Sequence, residues 1–112
     1  MKKPTNIRLG AIDWEVFFGE IPGYICEALD VEPEDLMGAT DEIQLRIYMR
    51  DDLKPNRERI TFLHEIVHAL CGSFHLGFND SENEEMVDAI AKSFYNFMKQ
   101  NPKAVEWLMK EE

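Results

Sequence analysis

Between Ile7 and Phe18 the apolar residues Ile7, Leu9, Ile12, Trp14, Val16 and Phe18 alternate with polar ones around Gly10. A period of two interrupted by glycine predicts two short strands joined by a turn. Residues 19–40 carry Pro22, Gly23, Pro33, Gly38 and a cluster of acids, which predicts loop with one helical turn near Tyr24 to Leu29. Alternation returns from Ile43 to Met49. Ile43, Leu45, Ile47 and Met49 form one apolar row, and Gln44, Arg46, Tyr48 and Arg50 form a polar row facing outward, so a third strand is predicted.

Beyond the turn-like DDLKPN the period changes. Ile60, Leu63, Ile66, Val67 and Leu70 fall three or four apart, with Pro55 suited to a first helical turn and Gly72 to a stop. A second helix is expected from about Ser81 to Gln100, with Met86, Val87, Ile90, Ala91, Phe94, Phe97 and Met98 apolar and acids in its first turn, where the helix dipole favours them. Asn101-Pro102 ends it, and Pro102 opens a short last helix whose Val105, Leu108 and Met109 can pack back on the core. Strands precede helices, so the expected fold is α+β: a short antiparallel sheet of about three strands packed on two helices, with a short C-terminal helix.

The 112 residues suit one domain spanning 1–112, and 45% hydrophobic with 30% charged residues is a globular composition. Charge narrows the partners. A net charge of −10 repels phosphate backbones and anionic headgroups, which argues against nucleic acid and membranes. No apolar run reaches the length of a membrane span, and MKKPTNIRLG has no apolar stretch behind its basic residues, so a cytoplasmic location is expected. Cys26 and Cys71 form no C-x-x-C pair and read as buried thiols.

The chemistry lies in TFLHEIVHALCG, residues 61–72. His64 and His68 are four apart on a helix, so their imidazoles share a face and can hold one Zn²⁺. Glu65 lies about 100° further round, where it addresses water at the metal instead of the metal itself. This is the H-E-x-x-H arrangement, with the glutamate as general base. A catalytic zinc needs a third protein ligand.

Asn83 to Asp88 reads N-E-E-M-V-D at the head of the next helix. H-E-x-x-H followed by a helix carrying N-E-x-x-x-D resembles the gluzincin side of the zincin metallopeptidases. That resemblance makes Glu84 the third ligand and Asp88 the carboxylate that orients His64. Glu84 and Asp88 are four apart on one helix face, a stripe that continues through Ala91 and Tyr95. Glu85 and Glu82 are the rival third ligands; Glu85 lies about 100° around the helix and lacks an acid four residues on. A broader likeness takes in the hairpin, the strand, TFLHEIVHAL, EEMVDAIAKSFYNF and the N-P segment. It is similar to the small, often phage-encoded ImmA/IrrE-like metallopeptidases, whose second helix reads roughly E-x-x-A-N-x-F-A. Here Glu84 and Ala91 match, while Val87, Asp88 and Ile90 replace alanine, asparagine and phenylalanine.

The resemblance implies a zinc-dependent metallopeptidase acting on a peptide or protein substrate. Tyr95, on the best-placed stripe, and His75 are candidate stabilisers of the developing oxyanion, with Tyr24 and Tyr48 as further donors. His75 does not complete a metzincin motif, because Gly72 and His75 each fall one residue late. Cys71, one turn past His68, reads as packed thiol. The strand 43–49 is a candidate edge for an extended substrate. Two other readings are open: an acidic binding or decoy protein that keeps a zincin-like site without proteolysis, and a metallohydrolase acting on a non-peptide amide.

Overall fold

The computed structural model describes residues 2–74 and 83–110. Gly10 and Ala11 connect β1 (Asn6–Leu9) to β2 (Ile12–Phe18) in an antiparallel hairpin that closes with Leu9 opposite Ile12. Gly10 has φ of 64°, a left-handed conformation that a two-residue hairpin turn requires and that glycine adopts freely. The hairpin is as expected from the alternation.

The rest of the sheet differs from the expectation in number and direction. Two further strands, β3 (Gly38–Asp41) and β4 (Arg46–Met49), give four among the described residues, in the order β1-β2-β4-β3. The sheet is mixed, because β4 runs parallel to β2, with Val16 opposite Ile47 and Phe18 opposite Met49, and antiparallel to β3. The predicted strand 43–49 loses its first half to a turn. Asp41 Oδ1 accepts the amide hydrogens of Ile43 and Gln44, both at 3.0 Å, and Leu45 takes φ of 59°. An aspartate bonded to the backbone two and three residues on turns the chain despite the alternation.

Both faces of the sheet are covered near β4. On one face Trp14, Val16, Ile47 and Met49 form a core with Ala69 of α2 (Pro55–Phe74). On the other, α1 (Gly23–Leu29) sets Ile25 and Cys26 against Ala39 and Tyr48. Tyr48, expected to face outward, is therefore buried. The helical turn expected near Tyr24 to Leu29 is this helix, closed by Asp30 in a left-handed conformation whose amide reaches the Glu27 carbonyl at 3.2 Å.

Gly72 does not end α2 as its type suggests. A Cβ there would come within 2.9 Å of the Glu42 carboxylate, so close packing against the β3–β4 turn accounts for the glycine. The following helix is α3 (Glu84–Gln100), residues 81 and 82 of the expected span lying outside the described residues. It buries the row Val87, Ala91 and Tyr95, with Val87 and Ile90 against Val67 and Cys71 of α2. Met86, Phe94, Phe97 and Met98 stay exposed, because α3 meets α2 along this narrow seam. In α4 (Pro102–Met109) Val105 is half-buried, but Leu108 and Met109 are exposed instead of packing back on the core. No helix among the described residues is long and apolar enough to cross a membrane.

At Gly38, β3 comes close to α2: a Cβ would meet Glu65 Cγ and Thr61 Cγ2 at 3.1 Å and Met49 Sδ at 3.2 Å. Gly38→Val is expected to destabilise the protein by about 1–3 kcal/mol through overpacking. Gly23→Ala, whose Cβ meets nothing within 4 Å, should be neutral or slightly stabilising. Urea unfolding midpoints of the two variants against the parent provide the measurement.

Candidate metal centre

Helix α2 offers two functional faces. Thr61, Glu65 and Ala69 form a buried row four residues apart against β3 and the sheet, while His64 and His68 lie half-buried on the side of α3. A one-residue step around the helix thus sends Glu65 under the edge strand and His64 towards the neighbouring helix.

Three donor atoms converge where the two helices meet. His64 Nε2 lies 3.2 Å from His68 Nε2 and 3.0 Å from Glu84 Oε2. His68 Nε2 lies 3.1 Å from Glu84 Oε2 and 2.9 Å from Oε1. Among the described residues this is the group of three ligand-type side chains close enough to hold one metal ion. The edges of this triangle match the spacing of about 3.3 Å expected between ligands at bonds of about 2.0–2.1 Å in a tetrahedral site. Chemistry agrees with geometry. When His64 donates its Nδ1 hydrogen to Asp88, its Nε2 presents a lone pair to the other two atoms, and a shared cation reconciles such a cluster of acceptors.

Asp88 sits between two partners. Its Oδ1 is 3.4 Å from His64 Nδ1, long for a hydrogen bond, while its Oδ2 is 2.7 Å from Lys92 Nζ. Lys92 is the main cause of a carboxyl pKa held below the ordinary aspartate value, with His64 contributing less. Asp88 is therefore anchored by Lys92 within reach of the imidazole.

Glu65 is only 6% exposed, and burial pushes its carboxyl pKa upward, partly opposed by His68, by the Thr40 hydroxyl and by His64. Thr40 Oγ1 lies 2.8 Å from Glu65 Oε1 and 3.1 Å from the Glu65 carbonyl oxygen, and donates to them. Sequence reasoning missed Thr40 and Gly38, since G-A-T-D has no large apolar residue to announce a strand; only the glycine hinted at a close approach.

A cavity of about 700 Å³ opens beside the cluster, lined by His68, Glu84 and Thr40 together with residues of α1 and the β3–β4 turn. Tyr24 is in this lining and Tyr95 is not. Tyr95 instead donates to Asn56 Oδ1 at 2.9 Å. Asn56 stands eight positions before His64, about 12 Å along the helix, which removes the Tyr95 hydroxyl from the cluster. Tyr48, buried beneath α1, has its hydroxyl 3.1 Å from that of Tyr24. Cys71 packs with Val67 and Val87 as a buried thiol. Glu85 is exposed and stands outside the cluster. His75 and Glu82 lie outside the described residues. The strand expected to offer a substrate edge proves interior, as β4, and the outermost strand beside the cavity is β3.

Comparison with protein families, characterised proteins and solved structures finds no match to this chain.

The cluster makes two separable predictions. Glu84→Ala is expected to lose most of the bound divalent metal while Glu85→Ala keeps it, as elemental analysis of dialysed protein will show. Asp88→Asn is expected to weaken metal affinity about 10–100-fold without unfolding the chain, measured by competition with a chromogenic chelator; unchanged affinity would reduce Asp88 to a partner of Lys92 alone.

Proposed function

We propose that this chain is a zinc-dependent metallopeptidase of the zincin kind, residues 1–112 forming one minimal catalytic domain. The observation that carries the reading is the pairing of a three-donor cluster, His64, His68 and Glu84, with a buried, proton-prone carboxylate one residue after the first histidine. H-E-x-x-H and the Glu84-led helix support the likeness to the ImmA/IrrE-like metallopeptidases. A site serving structure alone has no use for a general base beside its ligands, and this weighs against an acidic decoy protein.

His64, His68 and Glu84 would hold the zinc ion, which when bound polarises a carbonyl and brings the pKa of water towards about 7. The chain's own residues handle the proton. Glu65 accepts it from the water that attacks the peptide carbonyl and returns it to the departing nitrogen. Burial favours the protonated form in between, and Thr40 fixes Oε1 so that the carboxyl group keeps its orientation through both transfers. The Tyr95 hydroxyl, held by Asn56 away from the cluster, does not take the role of oxyanion donor that the stripe of α3 suggested. β3 supplies an edge on which an extended peptide can lie.

Glu65→Gln is expected to retain fold and zinc while losing hydrolysis by about 100-fold or more, because the amide keeps the size of the side chain but cannot take the proton. His64→Ala should lose zinc and activity together. Peptide-library cleavage with zinc quantified in parallel decides: a zinc-loaded Glu65→Gln protein as active as its parent would remove Glu65 from the mechanism.

A further inference from the structure

The cavity beside the cluster has a wall of distinct chemistry. Its far side is built by α1 and the β3–β4 turn, where Tyr24, Leu29 and Ile43 are 48%, 55% and 94% exposed. Ile43 stands in a turn with its side chain almost wholly in water, so covering it would remove a large apolar area from solvent. Three large apolar groups around one mouth, next to two of the three metal-site ligands, form a concave surface suited to an apolar group.

Two of the acidic groups at this mouth have other contacts. Asp41 Oδ1 accepts the amides of Ile43 and Gln44, and Oδ2 accepts the Tyr24 hydroxyl at 2.8 Å. The carboxylate of Glu42 lies back against Gly72 of α2. Both oxygens of the Asp41 carboxylate thus already have partners within the chain. The volume of about 700 Å³ falls within the range of small-ligand pockets and accommodates one bulky side chain.

We propose that this cavity is the specificity pocket of the site, taking one large apolar side chain, of the leucine, methionine or phenylalanine class, from an extended peptide and placing the adjoining peptide bond at the His64, His68 and Glu84 cluster. The inference rests on the peptidase reading for what happens to that bond, but the pocket itself can be tested apart from catalysis. Leu29 and Ile43 are its specificity-determining residues: they touch the substrate side chain and take no part in the proton transfers.

The test uses acetylated, amidated hexapeptides of serine and glycine, with Leu, Phe, Ser or Lys placed at each position in turn. Binding is titrated against the Glu65→Gln protein with a slight excess of zinc, and cleavage is followed with the parent. Leu and Phe peptides are expected to bind at least about tenfold more tightly than the Ser and Lys peptides, from burial of a few methylene groups. Leu29→Ser and Ile43→Ser should each remove most of that preference, leaving zinc content and the Ser-peptide affinity unchanged. In cleavage the same substitutions should raise KM for the Leu peptide with kcat nearly preserved. Equal binding of all four classes, no binding of any, or a preference that survives both substitutions overturns the pocket. Pocket-dependent binding with no cleavage by the zinc-loaded parent upholds the pocket and overturns the peptidase reading. Cleavage indifferent to the side chain does the reverse.

Discussion

The close approach of β3 to α2 over Glu65 is the constraint on which the site depends. A carboxylate on the face of a helix that packs against a sheet loses hydration, and this protein tolerates the loss because Thr40 supplies a hydroxyl 2.8 Å from Oε1 and two imidazoles lie nearby. The approach needs a residue without a side chain at position 38, opposite Glu65 and Thr61. It also needs α2 to present Glu65 to the strand while presenting both histidines to α3. One helical step of about 100° meets both demands. Proton-transfer group and ligand cluster are thus held by two different neighbours of the same helix, and each can be perturbed separately.

The pattern of the chain disclosed what local rules decide. The hairpin around Gly10, the helix opening at Pro55 and the helix carrying Glu84 were all legible, because period, proline and charge placement act within a few residues. The cluster was half legible. Two histidines four apart announce a shared face, whereas Glu84 could be chosen over Glu85 and Glu82 only through a resemblance, and the structure brings Glu84 into contact with both rings.

What could not be read depended on distant contacts. Tyr48 is buried because α1 folds over the second face of the sheet, Phe94 and Met98 stay exposed because α3 touches α2 on a narrow seam, and Gly72 is small because Glu42 lies against it. Tyr95 shares a stripe with Glu84 and Asp88, yet a stripe extends along a helix while a catalytic site occupies only one or two turns of it. The β3–β4 turn illustrates a local rule overruled by another: the alternation of Ile43 and Leu45 asks for a strand, and the Asp41 carboxylate draws the backbone into a turn.

The parallel pairing of β2 with β4 bears on how the chain acquires this arrangement. An antiparallel hairpin such as β1–β2 closes on itself through a two-residue turn, but β4 can join β2 only after the whole segment 19–45 has been looped out. That segment contains α1 and β3, so the edge strand and the helix packed on the sheet lie inside the loop that the β2–β4 pairing closes. Loop-closure entropy is then spent before the contacts that compensate for it have formed, which slows the search relative to the two-residue hairpin. Thr40, which meets Glu65, lies within this crossover, and so does the pocket wall formed by α1 and the turn. The chemical environment of the carboxylate is accordingly supplied by the segment looped out between two paired strands, and without that segment in place the H-E-x-x-H helix would carry a glutamate with neither the strand over it nor the Thr40 hydroxyl beside it.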